Sequence, residues 1–84
     1  MTPDQFHTWL ATAKPGDMCI YHKGRHLQEG GSEVGIAARE AAGYRYRRQT
    51  STDVYLWEQR GPRLVNLVQQ RVGRGFHYIA QRVG

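Results

Sequence analysis

Cysteine is almost absent from this sequence, since Cys19 is the only one among 84 residues. It cannot form an internal disulfide, and the chain lacks the ligand set of a structural zinc site. No run approaches about 18 consecutive apolar residues, which argues against a transmembrane helix. Residues 1–4 have neither the basic nor the apolar segment of a secretory signal. We therefore expect a cytoplasmic protein that binds no metal and does not contact a membrane.

Catalytic motifs are missing as well. The sequence has no glycine-rich phosphate loop, no His-Glu-x-x-His, no Gly-x-Ser-x-Gly and no paired carboxylates. His22 and His26 are four residues apart, the spacing of two metal ligands on one helix face. Gly24 lies between them and disfavours such a helix. We expect a protein that is not an enzyme and needs no cofactor.

Lysine is scarce, whereas arginine is abundant and unevenly distributed. The chain has two lysines and ten arginines, and its net charge is +5. Residues 1–43 carry a charge of −1 and residues 44–84 a charge of +6. A basic half is typical of proteins that bind nucleic acid. A GC-rich genome would also favour arginine over lysine, but it would not explain the uneven distribution.

The chain length of 84 residues predicts one domain, 1–84, with a small core and no covalent cross-link. A helix over about 3–13 is predicted by Thr2 as N-cap, Pro3 at the first helical position and Gln5 closing a capping box. Its apolar stripe consists of Phe6, Trp9, Leu10 and Ala13. Alternation over 17–22 then predicts a short strand.

A second helix is predicted from the cap Ser32 to Gly43, with an apolar stripe of Val34, Ala37, Ala38 and Ala41. Residues 44–50 fit helix or loop. The motif Thr50-Ser51-Thr52-Asp53 has the spacing of a capping box. Residues 54–57 fit a strand equally well, but the ending 58–61, with Gly61 as C-cap, favours a third helix.

Two strands over 64–72 and 76–83 complete the predicted elements, joined by the three-residue connection Gly73-Arg74-Gly75. Met18–Ile20 is expected to join these strands in one sheet. The predicted fold class is α+β, with three helices packed on a three-stranded antiparallel sheet in the order α-β-α-α-β-β.

This element order resembles that of winged helix-turn-helix DNA-binding domains, with 57–61 as the end of a recognition helix that enters the wing at 64–68. The sequence is also similar to small uncharacterised proteins of phages and proteobacteria. The matching segments are Trp9-Leu10-Ala11, Pro15-Gly16-Asp17, Tyr21-His22-Lys23-Gly24, Leu67-Val68-Gln69-Gln70-Arg71 and Phe76-His77-Tyr78-Ile79-Ala80. The similarity to those phage and proteobacterial proteins implies one compact domain and no particular activity. The basic second half and the winged-helix element order lead us to expect a small transcriptional regulator of phage or prophage type.

Double-stranded DNA is the partner that this interpretation predicts, and structured RNA is the alternative, because both favour a basic surface. Thr52, Tyr55 and Gln59 would line the outer face of the third helix and read bases in the major groove. An ordinary solvated helix face is the alternative. Arg63, Arg71 and Arg74 bracket the hairpin and would contact phosphates. An arginine-rich turn that favours solubility would have the same residues.

A second basic group consists of Arg45, Arg47 and Arg48, interleaved with Tyr44 and Tyr46. It would clamp phosphates, although a simple cation–π pair is the alternative.

A protein-interaction module is the competing function, for example a phage-encoded inhibitor of a host protein. It would use the same arginines together with exposed Ile36, Tyr44 and Tyr55. A homodimer is compatible with either function, and the edge of the C-terminal strand is one possible surface for it.

Overall fold

The computed structural model of the chain describes residues 1–25, 33–49 and 54–84, with the backbone alone for 46–49 and 54–57. These ranges contain two helices, α1 (Pro3–Thr12) and α2 (Glu33–Ala41). They also contain the strands β1 (Met18–Gly24), β2 (Tyr44–Gln49), β3 (Val54–Gln59), β4 (Val65–Val72) and β5 (Gly75–Arg82). Neither described helix is long enough to cross a membrane.

Helix α1 confirms the helix that the capping residues predict. The backbone N–H of Gln5 donates to the Thr2 hydroxyl at 3.2 Å, and the Gln5 side chain accepts from the Thr2 N–H at 2.9 Å. These two hydrogen bonds satisfy donors that the first turn would otherwise leave without a partner. The stripe that follows is buried at Phe6 and partly buried at Trp9 and Leu10.

The three-stranded antiparallel sheet confirms the predicted pairing of the terminal hairpin with Met18–Ile20. Its order is β1-β5-β4, so that β5 lies in the centre. Val72 pairs with Gly75, so the hairpin connection has two residues, 73–74, and not the three predicted. The C-terminal strand β5 is paired on both sides, and the free edge expected there belongs to β1 and β4 instead.

The core lies between this sheet and the two helices. Tyr21, Val65, Tyr78 and Ala80 point inward from the sheet. The Tyr21 ring lies 6.1 Å from Phe6 of α1 and 6.3 Å from Tyr78. From α2, the predicted stripe is buried as a whole: Val34, Ala37, Ala38 and Ala41. Short alanine side chains let this helix pack closely on its neighbours.

The predicted third helix is wrong, because residues 54–59 form strand β3. This strand pairs antiparallel with β2, with Tyr44 opposite Gln59 and Gln49 opposite Val54. Residues 54–57 are β-branched, aromatic or apolar, and such residues favour strands where a partner strand is available. The partner is 44–49, which is neither helix nor loop. The expected capping box at 50–53 lies outside the described residues.

The winged-helix fold class is therefore wrong as well. The observed order is α-β-α-β-β-β-β, with two described helices in place of three and a separate two-stranded sheet. The sheet β2–β3 leaves no recognition helix where the winged-helix interpretation needs one.

A glycine connects α2 to the chain that follows β3. Gly43 has φ +91°, and its carbonyl accepts hydrogen bonds from the backbone N–H groups of Arg60 (2.8 Å) and Gly61 (3.0 Å). The Leu64 N–H donates to the Ala41 carbonyl at 2.8 Å. A Cβ atom on Gly43 would lie 2.6 Å from the Gly61 carbonyl oxygen, so only glycine allows this approach.

The opposite face of the three-stranded sheet is open in the described part of the chain. Ile20, Ile79 and Val68 lie side by side across β1, β5 and β4. The exposed fractions of the large apolar residues on this face are 65% for Met18, 41% for Ile20, 46% for Val68 and 44% for Val72. Such a face is typical of a surface that takes part in binding.

Candidate nucleic-acid interface

The predicted phosphate contacts Arg71 and Arg74 lie together at one end of the three-stranded sheet. Arg71 is the penultimate residue of β4, and Arg74 lies in the turn to β5. Arg63 precedes β4 at its other end, where Nη1 donates to Oδ1 of Asn66 at 3.2 Å. Val65 and Arg71 are separated by about 20 Å at the rise of an extended strand. Arg63 therefore lies at the opposite end of the hairpin from Arg71 and Arg74.

Arg45 interacts with the protein itself. Its Nη1 atom donates to the backbone carbonyls of Glu40 (3.0 Å) and Tyr44 (2.8 Å). The Glu40 carbonyl belongs to the last turn of α2, where it also accepts from the Gly43 N–H at 3.0 Å and where a cation is favourable. These hydrogen bonds give Arg45 a structural role that competes with phosphate binding.

The other predicted residues of this region lie on the two-stranded sheet or outside the description. Arg47 and Arg48 are residues of β2, opposite Leu56 and Tyr55. Gln59 ends β3 and is exposed. Tyr55 and Gln59 are about 13 Å apart along a strand, compared with about 6 Å along a helix. They therefore do not form the compact base-reading face that was predicted, and Thr52 lies outside the described residues.

Strand pairing adds basic residues to the end of the sheet that carries Arg71 and Arg74. Arg71 pairs with Phe76, and Phe76 pairs on its other side with Gly24. Lys23 and Arg25 flank Gly24, so both lie at the same end of the sheet. We call Lys23, Arg25, Arg71 and Arg74 the tip cluster.

Gly75 allows the end of β1 to approach the hairpin turn. A Cβ atom at this position would lie 2.7 Å from the Gly24 carbonyl oxygen and 3.8 Å from the Arg25 Cα. A larger residue would push the two chain segments apart and separate the cations. The turn itself has Gly73 at φ +59°, a conformation that favours glycine.

A groove with a volume of about 310 Å³ lies at the tip cluster. Lys23, Arg25 and Arg74 line it, together with Phe76 and His77, and none of the described lining residues is acidic. Lys23, Arg71 and Arg74 are exposed, and none of their three side chains makes a hydrogen bond or ion pair to a described residue. Their charges are available to an external anion, and a phosphate group fits this chemistry.

Lys23 and Arg25 were missed because the sequence argument considered each half of the chain by its net charge. They belong to the half with charge −1. The signal was nevertheless present, since Met18–Ile20 was predicted to join the hairpin sheet. An antiparallel neighbour of β5 must end where β5 begins, and that places 23–25 beside the turn.

Two titratable groups near the core, Tyr21 and Cys19, have raised pKa values. Burial raises the pKa of Tyr21 to about 12, against an opposing effect of the Arg39 charge. Burial also raises the pKa of the Cys19 thiol, so the less reactive neutral form is favoured. Among the described residues no three His, Cys, Asp or Glu side chains are grouped closely enough to hold a metal ion.

The comparisons with known proteins found no family model, no curated protein and no solved structure that matches this chain.

Proposed function

We propose that this protein binds double-stranded DNA by placing the tip cluster against the phosphates of the duplex. The observation that supports the proposal is that Lys23, Arg71 and Arg74 lie at the same end of the sheet. Strand β1 and the β4–β5 hairpin bring them there, and their exposed side chains have no partner among the described residues. Cations of this kind supply most of the sequence-independent affinity of DNA-binding proteins. The role in transcription, the phage origin and the absence of catalysis stay predictions.

The test is fluorescence anisotropy of a labelled duplex of about 20 base pairs, titrated with protein over a series of salt concentrations. If Lys23, Arg71 and Arg74 each neutralise one phosphate, the logarithm of the binding constant should fall with the logarithm of salt with a slope of about −2.7 for each copy of the chain that binds. Unrelated duplex sequences should bind with similar affinity, because phosphate contacts carry no sequence information.

The double variant Arg71→Ala/Arg74→Ala should lower the magnitude of this slope by about 1.8. Its matched control is Arg60→Ala/Arg63→Ala, which removes the same charge from the connection between β3 and β4. There Arg60 pairs with Glu58 at 2.8 Å and Arg63 with Asn66. The control should leave the slope unchanged. Equal losses in both variants would show that net charge, and not the tip cluster, binds the duplex.

A protein partner is the second candidate, and the open apolar face of the sheet favours it. Ile36 and Tyr44, which were predicted to be exposed, are half-buried, and Tyr44 packs against the core. The open face instead presents exposed Ile20 and Val68, on either side of half-buried Ile79. A folded protein that fails to bind duplex DNA at low salt would refute the DNA proposal and favour this second function.

A further inference from the structure

The outer edge of β4 carries main-chain groups that have no partner among the described residues. The Val83 N–H donates to the Leu64 carbonyl at 2.9 Å, which shows that the even-numbered residues of this strand bond toward β5. The N–H and C=O groups of Leu67, Gln69 and Arg71 therefore point away from the sheet. None of the three makes a further backbone hydrogen bond within the described residues.

The accessible part of this edge is limited to its second half. Val65 is completely buried, whereas Leu67 is half-buried and residues 68–72 are exposed. Proteins commonly protect such edges with proline, a bulge or several charges. Strand β4 has no proline, its pairing with β5 is regular from Val65 to Val72, and Arg71 is its single charged residue. The edge can accept another strand between 67 and 71.

We propose that two copies of this chain pair antiparallel through their β4 edges, about a two-fold axis at Gln69. Gln69 then pairs with its own counterpart, and Leu67 of each copy pairs with Arg71 of the other. All outward main-chain groups of 67, 69 and 71 are satisfied in this register, by six hydrogen bonds. An axis at Val68 would require the outward groups of Val65, which burial makes inaccessible.

A second copy fits this edge because an antiparallel strand is complementary to itself under a two-fold rotation. The rotation also keeps both open sheet faces on one side, and it places Val68 opposite Gln70 and Val72 opposite Asn66 of the other copy. The exposed apolar rows of the two copies then belong to one continuous six-stranded sheet. Part of the apolar side-chain surface that each copy exposes becomes covered by its neighbour.

The dimer also extends the proposed DNA binding, and this part of the inference rests on that proposed function. Arg74 lies about 15 Å beyond Gln69, given the strand rise and the width of the turn. The two hairpin turns of the dimer would thus be about 30 Å apart, and flexible arginine side chains can span the remaining few ångströms. One turn of B-DNA is roughly 34 Å long, so both tip clusters could contact the same side of one duplex.

Sedimentation equilibrium without DNA tests the pairing separately from DNA binding. We expect a reversible dimer whose association strengthens between about 0.05 and 0.5 M salt, because both copies carry a charge of +5 and salt screens their repulsion. DNA binding must weaken over the same range. A protein that stays monomeric at about 1 mM at every salt concentration overturns the inference.

Gln69→Lys is the decisive variant, since it places two like charges directly opposite each other at the axis. It should weaken the dimer at least about tenfold, whereas the control Gln70→Lys, opposite Val68 of the other copy, should change it less than about threefold. Gln69→Pro removes an outward donor without breaking the pairing to β5, and it should also give monomers. Equal effects of Gln69→Lys and Gln70→Lys contradict this register.

DNA titrations with the same proteins distinguish the two proposals. Gln69→Lys should bind duplex DNA with about half the salt slope of the wild-type dimer, because one tip cluster acts in place of two. A monomeric wild-type protein that still binds DNA refutes the pairing alone. A dimer that binds no DNA refutes the proposed function and leaves the pairing intact.

Discussion

Replacing Gly43 by alanine tests the contact that joins α2 to the chain after β3. Gly43 has φ +91°, and the chain provides a matched control in Gly16, whose φ is +93°. Nothing lies within 4 Å of a Cβ atom built on Gly16, whereas a Cβ on Gly43 would lie 2.6 Å from the Gly61 carbonyl oxygen and 3.2 Å from that of Pro62. The two variants share the backbone strain and differ in the steric contact.

The strain common to Gly16→Ala and Gly43→Ala is worth about 1–3 kcal/mol. In Gly43→Ala the Gly61 backbone must also move away. That movement weakens the hydrogen bonds by which Arg60 and Gly61 donate to Gly43, at about 1 kcal/mol for each bond. We therefore expect Gly43→Ala to lose about 1–2 kcal/mol more free energy of unfolding than Gly16→Ala.

The loss is large for a chain of this size, whose total stability should be about 4–13 kcal/mol. Urea unfolding followed by circular dichroism at neutral pH measures it, provided that the denaturant slope m is the same for both variants. If the two variants lose the same free energy of unfolding within about 0.5 kcal/mol, the reasoning is refuted. The Gly61 backbone would then move aside without a measurable loss of stability.

Two further predictions concern the helix cap and a buried tyrosine. Thr2→Ala should lower the free energy of unfolding by about 1 kcal/mol, whereas Thr2→Ser, which keeps the hydroxyl that accepts from Gln5, should lose little; equal losses in urea unfolding would contradict the capping role. Because burial raises the pKa of Tyr21 from 10.0 to about 12, the unfolded chain ionises first as pH rises between these values. Stability should fall there by at most about 1.4 kcal/mol per pH unit, and Tyr21→Phe should flatten this decline. An unchanged slope in Tyr21→Phe would assign the pH dependence to other groups.

Local interactions explain which elements the sequence predicted. Each of these signals acts over a few neighbouring residues: the cap at Thr2, the stripe around Phe6 and the positive-φ glycine at 43. The structure has α1 and the end of α2 where these signals predict them. The terminal hairpin is similar, since its turn and its alternation are both local.

The prediction of a third helix was wrong because non-local strand pairing determined the structure of 54–59. A capping pattern and a terminal glycine favoured a helix there, although the residues themselves fitted a strand equally well. Two non-local contacts favour the strand over the helix. The six residues of β2 pair with all six of β3, and Arg60 and Gly61 donate hydrogen bonds to Gly43. Neither contact is visible in a window of ten residues.

Charge counted by sequence segment was a poor guide to the charge that is available for binding. In the basic half, Arg45 bonds to backbone carbonyls, and so does Arg82, whose Nη1 donates to Leu64 at 2.8 Å and to Val83 at 2.9 Å. Arg60 bonds to Glu58. These guanidinium groups donate to main-chain carbonyls or to a carboxylate of the protein itself, and such contacts stabilise the fold.

The tip cluster draws half of its cations from the half of the chain with the lower charge. Lys23 and Arg25 are about fifty residues away from Arg71 and Arg74 in sequence, and the β1–β5–β4 ladder alone brings them together. An anion encounters this spatial arrangement and not the order along the chain. The substitution that should separate the two pairs of cations while conserving every charge is therefore Gly75→Val, whose Cβ would meet the Gly24 carbonyl oxygen at 2.7 Å.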